Sequence, residues 1–134
     1  MKAPSPLEHQ IQSSYFEWAR HPLTLKKYPE LRWLHAIPNG GSRHVVEAVN
    51  LKKGGVLKGI LDVCLPCRGG IHSEYGGRQY TTLRIEFKRL GEKVTVEQRE
   101  FFEFCESEGQ KCVVCFDAEI AIKITKEYLS NGVS

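Results

Sequence analysis

Residues 54–65 read GGVLKGILDVCL and residues 83–98 read LRIEFKRLGEKVTVEQ. Two short apolar runs lie inside them, Ile60–Leu65 and Leu83–Phe87, each with the length and composition of a buried strand. Each carries charge where an apolar run should have none. Asp62 lies inside the first, and Glu86 and Lys88 close the second. Lone carboxylates and ammonium groups are costly to bury unless they are paired or bind a metal. Glu86 and Lys88 are two residues apart, so on a strand they share a face while Phe87 turns into the core. The expectation is a divalent-cation site on neighbouring strands, built from Asp62 and Glu86 with a catalytic lysine, Lys88, beside it. The competing reading of the same trio is a structural ion-pair cluster.

The flanking sequence alternates helices and strands. Ser5, Pro6 and Glu8 have the spacing of N-cap, N1 and N3 of a capping box. Leu7, Ile11, Tyr15, Trp18 and Ala19 recur at helical spacing until His21-Pro22. His21–Pro29 reads as a polar loop and Leu31–Ile37 as a strand, followed by an Asn39-Gly40-Gly41 turn. A helix from Ser42 to Lys53 stops at Gly54 and Gly55. Arg43, His44, Lys52, Lys53 and Lys58 gather around that helix and its exit, as a phosphate-contacting surface or as a plain solvated face. Cys67–Tyr80 is rich in Gly, Arg, His and Tyr and reads as a long hairpin loop or insertion, with Arg68, His72, Tyr75 and Arg78 available to DNA. Thr95–Gly109 is a helix with Thr95 and Gln98 at capping-box spacing. Its stripe of Phe101, Phe102 and Cys105 is apolar, and Glu97, Glu100, Glu103, Glu106 and Glu108 make the other sides acidic. Lys111–Phe116 is a buried strand. Asp117 caps a last helix to about Asn131, with Ile120, Ile124, Tyr128 and Leu129 inward. The order αβαββαβα specifies an α/β sandwich with a central mixed sheet flanked by helices.

At 134 residues the chain fits one domain, residues 1–134, with a real core. Hydrophobic content of 41% and charged content of 26% are those of an ordinary globular protein. No apolar run approaches the ~20 residues of a membrane span, and the N-terminus has no apolar signal core. The expected location is the cytoplasm, with the five cysteines reduced. A net charge of +3 and a pI of 8.6 permit nucleic-acid binding without demanding it. Cys64–Cys67 and Cys112–Cys115 have zinc-like C-x-x-C spacing. Cys112 and Cys115 lie in a β-branched strand, where residues three apart face opposite ways, so zinc is not expected.

The ordered set of Glu8, Ile37-Pro38-Asn39-Gly40-Gly41, Leu51 through Asp62, Ile85-Glu86-Phe87-Lys88, and Gln98 after Val94-Thr95 resembles the VRR-NUC nucleases of the PD-(D/E)xK superfamily. It is most similar to their small stand-alone members from phages and bacteria, over nearly the whole chain. Leu61 stands where that family usually has proline, a residue that shapes backbone and binds nothing. The resemblance implies a restriction-endonuclease-like fold. It implies that Asp62 and Glu86 hold Mg2+ or Mn2+, that the Phe87 carbonyl completes the shell, and that Lys88 acts on the attacking water. Glu8 matches the family's N-terminal glutamate, a third ligand, though the cap alone would also explain it. Gln98 matches a supporting glutamine, again with a cap as the rival role. The implied activity is a metal-dependent DNA endonuclease, above all a Holliday-junction resolvase acting as a homodimer on four-way junctions. Exposed apolar groups, Trp33 and Tyr15 among them, would suit a dimer. The alternatives are a nuclease for flaps or other branched DNA, and a catalytically silent DNA-binding module.

Overall fold

The structure is a computed structural model that describes residues 6–38, 49–50, 52–72 and 76–130. Helix α1 (Pro6–Arg20) is followed by a short α2 (Pro22–Lys27), a 3-10 turn (Pro29–Trp33) and strand β1 (His35–Ala36). Residues 49–50 and 52–53 are helical. Then come β2 (Val63–Leu65), the hairpin strands β3 (Gly69–His72) and β4 (Arg78–Tyr80), β5 (Leu83–Phe87), α3 (Val96–Ser107), β6 (Lys111–Cys115) and α4 (Ala118–Ser130). Strands β1, β2, β5 and β6 form a mixed sheet in that order, antiparallel except for the parallel pair β5–β6. Strands β3 and β4 pair with each other in a second, small sheet.

Side-chain alternation sorts the sheet's two faces. Val63, Leu65, Leu83, Ile85, Phe87 and Cys115 join Tyr15, Leu31, Leu34, Ala121, Tyr128 and Leu129 in the main core, under α1 and α4. The opposite face carries a smaller cluster of Leu61, Cys105 and Cys112 with Phe101 and Phe102, roofed by α3. Cys112 and Cys115 therefore pack on opposite faces of the sheet. Thr125 donates to the Ala121 carbonyl at 2.7 Å, so the buried Tyr15 hydroxyl, 2.7 Å from Thr125 Oγ1, donates to it. That bond ties α1 to α4, and the Tyr15 ring lies 5.5 Å from that of Phe87.

Several expectations are corrected. The strand expected over Leu31–Ile37 is a 3-10 turn followed by a two-residue strand. Pro29 starts the turn, Leu31 and Leu34 are both buried, and Arg20 donates to their carbonyls at 3.0 and 2.6 Å. The expected loop at His21–Pro29 contains α2, because Pro22 not only ends one helix but begins the next, capped by His21 Nδ1 accepting from Leu23 N. The expected loop at Cys67–Tyr80 is the β3–β4 hairpin, and a Cβ at Gly69 would collide with Tyr128 of α4. The strand expected over Ile60–Leu65 begins at Val63, one residue after Asp62. Ile120 is 48% exposed: Tyr128 and Leu129 face inward as expected, with Ile124 packed against the core, but Ala121 and Thr125 take the remaining inward positions. Tyr15 is fully buried and presents nothing to a partner, whereas Trp33 is 63% exposed.

The remaining elements lie close to their expected bounds: α3 within Thr95–Gly109, β6 within Lys111–Phe116, and α4 after Asp117, whose Oδ1 accepts from Ile120 N. The helix ending at Lys53 does stop at Gly54 and Gly55, where Gly55 takes φ +95°. The Ser5 cap, the Asn39–Gly41 turn, the start of the helix at Ser42, Arg43, His44, Leu51, Tyr75 and Asn131 lie outside the described residues.

Candidate active site

The register that pairs Val63 with Ile85 would set Asp62 opposite Glu86 one step further on. At that step side chains take over from the backbone ladder. The Asp62 amide donates to Glu86 Oε1 at 3.2 Å, and the Phe87 amide donates to Asp62 Oδ2 at 3.0 Å. The neighbouring ladders continue past the same point: Ile37 N donates to the Asp62 carbonyl at 2.7 Å, and Lys88 N to the Cys115 carbonyl at 3.1 Å. The two carboxylates are thus inserted between β2 and β5 where those strands part. They are braced on both sides by β1 and β6.

Glu86 is 3% exposed and Lys88 8% exposed, and Lys88 Nζ lies 3.6 Å from Glu86 Oε2. Burial, and next the charge of Asp62, push the Glu86 carboxyl up to about 8, with Lys88 opposing the rise. Burial and the facing carboxylate therefore both favour the protonated form of Glu86.

Gln98 completes the group. Its Oε1 accepts from Thr95 N at 2.9 Å while Thr95 Oγ1 accepts from Gln98 N at 3.1 Å, a full capping box. The other end of the same amide, Nε2, donates to Glu86 Oε2 at 2.9 Å. The cap therefore orients the amide toward the carboxylate, so capping the helix and bonding Glu86 are compatible in one side chain.

The chain before Asp62 rests on the same helix end. Gly59 has φ +92°, and a Cβ there would lie 2.7 Å from the Glu97 Cβ and 2.8 Å from its carbonyl carbon. Lys58 pairs with Glu97 at 3.4 Å. The sequence reads Lys58 as a phosphate contact and gives no sign of its ion pair with α3 or of the role of Gly59. A lone glycine three residues before an aspartate offers no one-dimensional mark of the helix it will touch.

Glu8, Asp62 and Glu86 do not together form a three-carboxylate group able to hold an ion. Glu8 hydrogen-bonds Glu92, and that bond, with the Arg89 guanidinium 2.8 Å away, holds the Glu92 carboxyl down to about 2. Among the described residues no three His, Cys, Asp or Glu side chains converge on one point. Lys52 and Lys53 are exposed. The β3–β4 hairpin, with Arg68 just before it and Arg78 and His72 within it, joins the sheet at the Leu65–Leu83 end. The carboxylates sit toward the other end of β5, roughly 10 Å away for the three strand steps from Leu83 to Glu86.

The donor set fits a hard divalent cation. Mg2+ is commonly held by one or two carboxylates with water and substrate oxygens filling the rest of the shell. Asp62, half-buried, and Glu86, buried, supply two such groups, facing each other and fixed by backbone and amide donors.

The fold is shared with a known structure. The chain is similar to a solved structure described as a VRR_NUC domain protein, with a TM-score of 0.72 and 25% sequence identity over 96% of this chain and 93% of that one. No protein-family model matches the sequence, and no curated protein matches it. The α/β architecture is that of a VRR-NUC domain.

Proposed function

We propose that this VRR-NUC-fold chain is a nuclease that uses Mg2+ or Mn2+ to hydrolyse phosphodiester bonds in branched DNA, above all four-way (Holliday) junctions, as a homodimer. The observation that carries the reading is the Asp62–Glu86 carboxylate pair with buried Lys88 against it and Gln98 holding Glu86. A purely structural ion pair would match its charges. Fully ionised, these three side chains would carry one negative charge more than positive, and burial opposes that excess, so the metal-free site keeps a proton on Glu86.

When bound, the ion supplies Lewis acidity toward the scissile phosphate and lowers the pKa of a water. Asp62 and Glu86 hold it, and the Phe87 backbone carbonyl is assigned as a further oxygen donor. Lys88 orients or deprotonates the attacking water and offsets the charge that grows on the phosphate. Gln98 fixes the Glu86 oxygen that also faces Lys88, and so holds the carboxylate in place for the ion. Glu8 is proposed as a third carboxylate ligand from α1. Lys52 and Lys53 contact phosphates, joined by Arg43, His44 and Lys58. The setting is the cytoplasm; among the described residues no helix is long and apolar enough to cross a membrane.

The homodimer reading rests on exposed apolar groups, with Trp33 at 63%, Leu23 at 72% and Phe104 at 61%. A two-fold pair of sites suits a junction, whose strands must be cut at related positions. Labelled four-way junctions, flaps and duplexes, each incubated with Mg2+, Mn2+ or chelator, test the reading. Metal-dependent, symmetric cutting of junctions is the expected result. Preferential flap cutting would move the substrate to other branched DNA, and binding without cutting would leave a silent DNA-binding module. Light scattering at micromolar concentration decides the dimer.

A further inference from the structure

Arg84 lies two residues before Glu86 on the same face of β5. Its strand neighbours are Cys64 on β2 and Cys112 on β6, so it sits in the middle of the sheet beneath α3. An aliphatic side chain would fill that position at less desolvation cost. The guanidinium makes two directional contacts there. Its carbon stands 5.0 Å from the Phe101 ring centroid, and Nε donates to Gln110 Oε1 at 2.6 Å. Phe101 is in the middle of α3, and Gln110 is tied to the helix's last turn through its amide on the Cys105 carbonyl at 3.0 Å. Arg84 therefore grips α3 in the middle and at its end.

The same two elements meet once more at the site. Glu86 follows Arg84 by two on β5, and Gln98 precedes Phe101 by three on α3, each pair on one face of its element. Arg84–Phe101 and Glu86–Gln98 are consecutive rungs between β5 and α3. The first sets the tilt and height at which the second can close. A planar, pre-organised fork suits that task as neither lysine nor leucine does.

We propose that Arg84 is a positioning residue for the carboxylate pair, acting through Phe101 and α3 to keep the Gln98 amide on Glu86. This rests on the reading of Asp62 and Glu86 as the metal site, and its test separates the two. In metal-free protein, the side-chain amide resonances of Gln98 are recorded for wild type, Arg84→Lys and Arg84→Met. Mn2+ affinity is measured by calorimetry for these variants, for Gln98→Ala and for Arg84→Met/Gln98→Ala. Expected are Gln98 resonances displaced toward those of a solvent-exposed amide and Mn2+ affinity weaker by about tenfold, as when a metal ligand loses its supporting hydrogen bond. The double variant should bind no more weakly than Gln98→Ala alone, because both substitutions remove the same hydrogen bond. Where circular dichroism shows Arg84→Met unfolded, Arg84→Lys carries the comparison, since it keeps the charge and loses the fork. Gln98 resonances that stay in place, or losses that add in the double variant, would overturn the proposal and leave Arg84 a packing residue. A wild-type protein that binds no Mn2+ would instead overturn the metal site, with the amide resonances still reporting on Arg84.

Discussion

Raising the pH of the metal-free protein should lower its stability, and Glu86→Gln should remove most of that dependence. The folded Glu86 carboxyl keeps its proton up to about 8, against an ordinary 4.5, because it is buried and faces Asp62. Below 4.5 the folded and unfolded chains both hold the proton, so the shift has no effect there. Above it the unfolded chain releases the proton while the folded chain retains it. The unfolded state then binds fewer protons, and stability falls by about 1.4 kcal/mol per pH unit until the folded carboxyl also ionises. From 4.5 to neutrality is about 2.5 units, or about 3 kcal/mol, which is a large share of the ~5–15 kcal/mol that holds a domain together.

Glutamine at this position keeps an oxygen for the Asp62 amide and never ionises. It sets one amide against the other at Gln98, a loss of about 1 kcal/mol. The variant should therefore be more stable than wild type at neutral pH by about 2 kcal/mol, and less stable in acid. Urea unfolding followed by circular dichroism in chelator, across a pH series, measures this directly. Saturating Mn2+ should reverse the trend for wild type alone, since loading the site expels the proton more easily as pH rises. Wild-type and Glu86→Gln curves that run parallel between pH 5 and 8 would refute the reasoning, because the buried carboxyl would then carry no penalty.

Gln98→Glu should leave α3 intact, as glutamate also serves at N3 of a capping box, yet nearly abolish metal-dependent cleavage by setting a carboxylate where Nε2 meets Glu86; circular dichroism beside a cleavage assay checks both halves. Gly59→Ala should lose about 1–3 kcal/mol in urea unfolding and most of its cleavage, because a methyl group there meets Glu97 at a left-handed φ; near wild-type values would show that the chain before Asp62 is free to shift. Replacing Lys52 and Lys53 together by alanine should weaken DNA binding for every sequence and shape of DNA. It should also flatten the log–log salt dependence by roughly 1 for each phosphate no longer neutralised, as read by fluorescence anisotropy over a salt series.

The fold was most legible where one local rule governed. The capping box at Thr95 and Gln98, the apolar run Leu83–Phe87 and the glycine stop after Lys53 depend on residues close together in the chain, and each stands where it was expected. The Leu31–Ile37 segment failed because its alternation and its i,i+3 spacing cannot be told apart over seven residues. The choice was made from outside, by Arg20 capping the carbonyls of Leu31 and Leu34 from α1. The hairpin at β3–β4 was hidden for a similar reason. Its glycines look like loop residues, and they are there because Tyr128, far along the chain, leaves no room for a side chain at Gly69.

The site was legible by a different route, through charges that the surrounding sequence had no reason to contain. Asp62, Glu86 and Lys88 stand out because burial makes such residues costly, and the structure brings all three together between β2 and β5. What a one-dimensional reading lacks is the second partner of a side chain whose first partner it has already found. Spacing identifies Gln98 as a cap, and in one dimension a cap is the rival of a site role; in three dimensions the amide has two ends, and satisfying one aims the other. Glu8 invites the same choice between cap and ligand, and its partner is a third group, Glu92, which neither alternative includes. Arg84 draws no notice because an arginine on a strand reads as a solvated face. Its worth depends on Phe101 and Gln110, which lie beyond the lysine, the loop and the helix start that follow it. The carboxylate pair is announced by its own chemistry. The residues that hold it in place are announced only by what they touch.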